Sequence, residues 1–154
     1  MRGYYLPLIA GLVLVASAFL PWVRIGETTL RGVPNLPALW VAGLGAIAAV
    51  LAALSIRTRK NSRHPLLVIG LLSLGIMVLS WRILPRSVNE RAASLSQATA
   101  IVEGGDVVPA PDALVCSGIY IGTVASAIIA LFGLTIVVKR VSRPYAIASQ
   151  DDDV

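Results

Sequence analysis

Two apolar runs, 36–56 and 65–84, are separated only by Arg57-Thr58-Arg59-Lys60-Asn61-Ser62-Arg63-His64. A bilayer core takes about 20 consecutive apolar residues as a helix, so this pairing points to a helical hairpin in a membrane. Lys and Arg beside a span resist translocation. The basic connection is therefore expected on the cytoplasmic side, and that placement orients the rest of the chain.

Composition supports the same class. Of 154 residues, 56% are hydrophobic and 14% charged, and the apolar residues fall in blocks rather than stripes. A net charge of +5 would suit nucleic acid in a soluble protein. In a membrane chain it reflects positive-inside bias and attraction to anionic lipid, so the expected partners are membrane lipids and other transmembrane subunits, not nucleic acid. The single Cys116 forms neither an internal disulfide nor a metal pair. The longest polar stretch is about 30 residues, below the size that supports its own core.

The first span is expected at 4–23, behind Met1-Arg2-Gly3, and is read as a retained helix. The competing reading is a cleaved signal peptide, since Ala16-Ser17-Ala18 has the small-x-small form of a cleavage site. A short outer loop at 24–35 turns at Gly26, Gly32 and Pro34, with Thr28-Thr29-Leu30 briefly extended. The second span, 36–56, carries two small-residue rows: Ala38, Ala42 and Ala46, then Gly45, Ala49 and Ala53. Such rows let helices approach closely in lipid, where packing drives association. Pro65 suits the first turn of the third span, and Pro85 is expected to stop it. The fourth span, 114–138, ends at Lys139-Arg140 and carries Gly118, Gly122, Ser126 and Ala130 at four-residue spacing. That stripe packs within the bundle or against a helix of another subunit.

Between the last two spans, Ser87-Val88-Asn89-Glu90 has capping-box form. Val88, Ala92, Leu95, Thr99 and Val102 then share one helical stripe, and Gly104-Gly105 is a stop. A separate amphipathic outer helix at 88–103 is expected, lying on the membrane surface or the bundle top. An extended strap at 106–112 leads back.

Charge and aromatic residues agree on orientation. Arg2, Arg57, Arg59, Lys60, Arg63, Lys139, Arg140 and Arg143 all fall on cytoplasmic segments, and the outer segments are neutral. Trp22, Trp40 and Trp81 fall at outer helix ends, where indole rings anchor at the headgroup level, and Tyr4 and Tyr5 mark the inner side. The expected fold is thus an all-α membrane protein: a four-helix transmembrane bundle, N-in and C-in, with an outer amphipathic helix between spans three and four. It forms one domain, 1–143, with outer segment 85–113 and a polar cytoplasmic tail, 144–154.

The spans hold no Asp, Glu, Lys or His in their middles, and Arg82 sits near an end where it can snorkel. Pumps and coupled transporters need intramembrane ionisable groups. His64 has no second ligand at usable spacing and reads as an interfacial residue, and Cys116 as a small apolar core residue. No nucleophile has an activating partner in the sequence. No catalytic residue, cofactor or metal site is expected. Arg57, Arg59, Lys60 and Arg63 are candidate contacts for anionic lipid headgroups, each worth about 1 kcal/mol near the surface.

Pro21-Trp22-Val23, the outer Gly32, the run Pro37-Ala38-Leu39-Trp40, and Arg143 with Tyr145 give a layout that resembles the tryptophan-associated transmembrane proteins of actinobacteria. The resemblance implies a four-span protein of the bacterial cytoplasmic (inner) membrane, in a family of unassigned function. Three functional classes follow in order of expectation. The first is a non-catalytic accessory subunit of a respiratory, photosynthetic or transport complex. The second is a stand-alone module with a lipid or small-molecule pocket behind Trp22, Trp40 and Trp81. The third is an enzyme or transporter that borrows polar groups from a partner.

Overall fold

The computed structural model describes residues 2–58, 62–107, 109 and 111–141, with side chains from Gly3 to Thr135. Arg59, Lys60, the side chains of Lys139 and Arg140, and the tail 144–154 lie outside the described residues. A single 3-10 turn, Arg2–Tyr4, leads into α1 (Tyr5–Ser17). Two strands follow, β1 (Pro21–Ile25) and β2 (Thr28–Arg31), then α2 (Leu36–Thr58) and α3 (Arg63–Glu103). A short β3 (Ala113–Val115) precedes α4 (Ser117–Val141). α1 packs on α2 and α4, and α3 packs on α4 and α2.

α2, α3 and α4 are long and apolar enough to cross a membrane, which marks the chain as a membrane protein. α1 is not: its 13 residues cover about 20 Å, against roughly 30 Å of hydrocarbon. The helix expected over 4–23 stops at Ser17 for reasons visible in the hydrogen bonds. Leu20 N–H donates to Ser17 O at 3.3 Å, tightening the chain into a turn. Pro21 has no N–H with which to continue a helix. Trp22 then folds back, and its Nε1–H donates to the same Ser17 O at 2.9 Å, a second and shorter bond to a carbonyl in the last turn of the helix.

The expectation of an all-α fold is corrected by a three-stranded antiparallel sheet in the order β2-β1-β3. The β1–β2 hairpin turns on Gly26-Glu27, with Gly26 at φ 53° and Ile25 opposite Thr28. On the other side Val23, Arg24 and Ile25 pair with Val115, Leu114 and Ala113. The sheet closes one end of the helical core, called the sheet end below. At the opposite end the Tyr4 and Phe132 rings meet edge-to-face at 5.1 Å, and Tyr4 Oη accepts a hydrogen bond from Ser62 N–H.

The separate outer helix is also corrected. α3 is one helix of 41 residues with Pro85 inside it, about 62 Å long and so about twice the thickness of a hydrocarbon core. Ser87 does not cap a new helix: its Oγ–H donates back to Leu84 O at 3.0 Å, a bond that a continuing helix accommodates. The real stop is Gly104, left-handed at φ 68°, as the Gly-Gly pair suggested.

Backbones touch where side chains vanish. A Cβ on Gly11 of α1 would lie 2.8 Å from Ala49 N, and one on Gly45 of α2 would lie 2.9 Å from Gly11 O. A Cβ on Gly133 of α4 would fall 2.5 Å from both Leu67 N and Leu67 Cα of α3. Approaches this close maximise dispersion contact in a setting where lipid leaves little hydrophobic driving force. Three buried hydroxyls are satisfied within their own helices, Ser17 on Leu14 O, Ser73 on Ile69 O and Ser126 on Gly122 O, whereas the buried Ser55 Oγ has no partner among the described residues.

Candidate functional site

The sheet end is where chemistry and shape concentrate. Trp22 is fully buried at its centre, although its position at the end of an apolar run suggested a headgroup anchor. A Cβ on Gly32 would fall 2.6 Å from Trp22 Nε1, and one on Gly118 would fall 2.6 Å from Trp22 Cδ1. The indole thus sits in a slot between the β2–α2 connection and the start of α4. The backbone O of Trp22 accepts from Cys116 N–H at 2.8 Å, tying β1 to the chain entering α4. Trp40 and Trp81 are exposed at 61% and 45%, and Trp81 meets the Tyr120 ring edge-to-face at 5.8 Å. The three tryptophans therefore do not enclose one cavity.

The Gly118, Gly122, Ser126 and Ala130 stripe is turned inward. Gly118 faces Trp22, Gly122 faces Met77 of α3 and Ser17 of α1, and Gly70 of α3 faces Ala130. It is occupied by this chain's own helices. The rows on α2 divide differently. Ala38, Gly45 and Ala49 are buried, Ala42 is half-buried, and Ala46 and Ala53 are exposed, because four-residue steps drift about 40° around a helix.

At the opposite end Arg57 is exposed, whereas Arg63 is half-buried with its guanidinium 5.6 Å above the Phe132 ring. His64 is exposed in the first turn of α3. Cys116 is half-buried beside the sheet. Among the described residues no three His, Cys, Asp or Glu side chains converge.

One tie was missed from sequence. Asn89 Oδ1 accepts from Ala113 N–H at 2.8 Å, fastening the upper part of α3 to β3. Its neighbours had suggested a capping box, in which Asn89 has no role. Beyond Asn89, α3 runs another 14 residues to Glu103, about 21 Å, with Leu95, Ile101 and Val102 exposed at 68%, 83% and 85%. The edge strand β2, by contrast, contains the Thr28-Thr29-Leu30 segment expected to be extended, and all four of its residues are exposed. An Ile-Gly-Glu-Thr turn between β-branched runs was its sequence signal.

Apolar grooves line the helices. One of about 390 Å³ lies between α1 and α4, walled by Leu6, Ile9, Val13, Tyr120, Val124 and Ile128. Another of about 270 Å³ lies between α2 and α3, with Trp40 and Leu79 in its wall. Both open on faces that carry exposed apolar side chains, the surface expected against lipid tails. No family model matches the chain, and no curated protein or solved structure matches it either.

Proposed function

We propose that this protein is a non-catalytic accessory subunit of a larger bacterial membrane assembly, with the far part of α3 as its docking element. With the basic connection on the cytoplasmic side, the sheet end and the projecting helix lie outside. One observation carries the reading. Leu95, Ile101 and Val102 stand exposed on a helix that extends well past the sheet, where lipid tails would not cover them. Apolar side chains displayed along a helix in water mark a protein contact. The Gly118, Gly122, Ser126 and Ala130 stripe packs against this chain's own helices, so partner recognition is assigned to the projection.

The test is native mass analysis of tagged protein, extracted from its own membranes in mild detergent. A stoichiometric assembly with other polypeptides, lost in a Leu95→Glu, Val102→Glu variant that keeps its thermal stability, is the expected result. A particle containing only this chain overturns the reading.

The alternative is a stand-alone lipid-binding module. The α1–α4 groove favours it, since its walls are apolar throughout and α1 falls short of the bilayer. That reading expects lipid retained by the purified protein and lost on Ile9→Trp.

A further inference from the structure

β2 is the free edge of the sheet, and its polar groups are arranged to meet a copy of themselves. Ile25 opposes Thr28 across a two-residue turn, so these two exchange the first pair of ladder hydrogen bonds. Bonded and non-bonded pairs alternate along an antiparallel ladder. Arg24–Thr29 is therefore a non-bonded pair, and the N–H and C=O of Thr29 point away from β1, toward the open edge. Sheet edges are commonly blunted by charges that repel a second strand. Here the charges do the reverse: the exposed segment reads Glu27-Thr28-Thr29-Leu30-Arg31, with an acid at one end and a base at the other.

We propose that β2 pairs antiparallel with β2 of a second copy of this chain, about a two-fold axis through Thr29. In that register Thr29 faces Thr29 of the copy and exchanges two backbone hydrogen bonds with it. Thr28 faces Leu30. Glu27 faces Arg31 at both ends of the pairing. Neither Glu27 nor Arg31 is engaged in an ion pair within its own chain among the described residues, so both charges are available. Arg31 O already accepts from Asn35 Nδ2 at 3.2 Å, which holds the end of the strand in place. The result is a closed, isologous contact that joins two three-stranded sheets into one of six strands. Two copies confined to one membrane have already lost part of the freedom that association costs, so a short interface suffices.

The test is disulfide trapping in native membranes, with Cys116→Ser as background. Thr29→Cys is expected to give an oxidant-dependent dimer at twice the 16.2 kDa of the chain, because directly opposed Cα atoms in a bonded pair stand about 5.5 Å apart. Thr28→Cys and Leu30→Cys are each expected to trap weakly alone and strongly when co-expressed. Glu27→Arg should cut trapping at residue 29 at least several-fold, and adding Arg31→Glu should restore it. Absence of trapping at residue 29, equal trapping at 28, 29 and 30, or charge swaps without effect would each overturn the pairing. The readout involves this chain alone. Trapping by the purified chain without other subunits supports the edge contact even if the accessory-subunit reading fails, and an assembly with no trapping does the opposite.

Discussion

Trp22 lies so close to Gly118 that a single methyl group at residue 118 would fall 2.6 Å from the indole Cδ1. Helix α4 can enter beside the sheet only because that position has no side chain. Gly118→Val is expected to destabilise the protein by about 1–3 kcal/mol through overpacking. Gly75→Ala, where a Cβ meets nothing within 4 Å, should leave stability unchanged or slightly raised. Thermal unfolding of both variants in detergent checks the contrast. Equal effects would show that the slot does not constrain the fold.

The indole N–H has its own role. Trp22→Phe fills most of the same volume but removes the shorter of the two hydrogen bonds to Ser17 O, leaving the one from Leu20 N–H, at a cost of about 0.5–1.5 kcal/mol. Trp22→Ala adds a cavity and should cost about 3–5 kcal/mol. Unfolding midpoints that rank wild type, Phe and Ala in that order are the expected result.

Burial also separates the tryptophans by environment. A variant with Trp40 and Trp81 both changed to Phe keeps only the fully buried Trp22. Its fluorescence should resist both acrylamide and brominated lipid. A variant that keeps only Trp40 should be quenched readily by at least one of them.

Continuity of α3 through Pro85 is measurable as a distance. Spin labels on the exposed residues 79 and 93 should report backbone positions about 21 Å apart along one helix. A right-angle break at Pro85, with the second part flat on the membrane, would bring them to about 15 Å.

Asn89 offers a more local check. Asn89→Ala removes the acceptor for Ala113 N–H, at a cost of about 0.5–1.5 kcal/mol. Hydrogen exchange at Ala113 should accelerate about 2–10-fold, with exchange in the Tyr4–Phe132 region unchanged.

The three long helices were legible in sequence because each is announced by an uninterrupted apolar block. Their starts at Leu36, near Pro65 and near Leu114 were close to the observed ones. What was missed has physical causes. The apolar run of the first helix continues straight into Trp22 and Val23, so nothing in hydropathy separates helix from buried strand; Pro21 was the only break. β3 is three residues long and exists only because β1 lies beside it. Pro85 was read as a stop because an interior proline is costly, but the helix on either side of it continues with good helix formers such as Leu84, Arg86 and Glu90. At the sheet end, the buried role of Trp22 depends on Gly32 and Gly118, which lie 10 and 96 positions away. No local pattern carries that relation.

Pro85 gives α3 a mechanical character. Below it the helix is gripped by α4, where Gly70 meets Ala130 and Gly133 meets Leu67. Above it Asn89 is tied to Ala113 of β3, and beyond that tie only Ala92, Ser96 and Ala100 are half-buried among the described residues of the helix. A proline inside a helix deletes one rung of the hydrogen-bond ladder and concentrates bending there. The projecting part is therefore a stiff mast on a single weak joint, stayed on one side by the sheet. Whatever grips its tip would feel the tilt of the whole protein in the membrane through that joint.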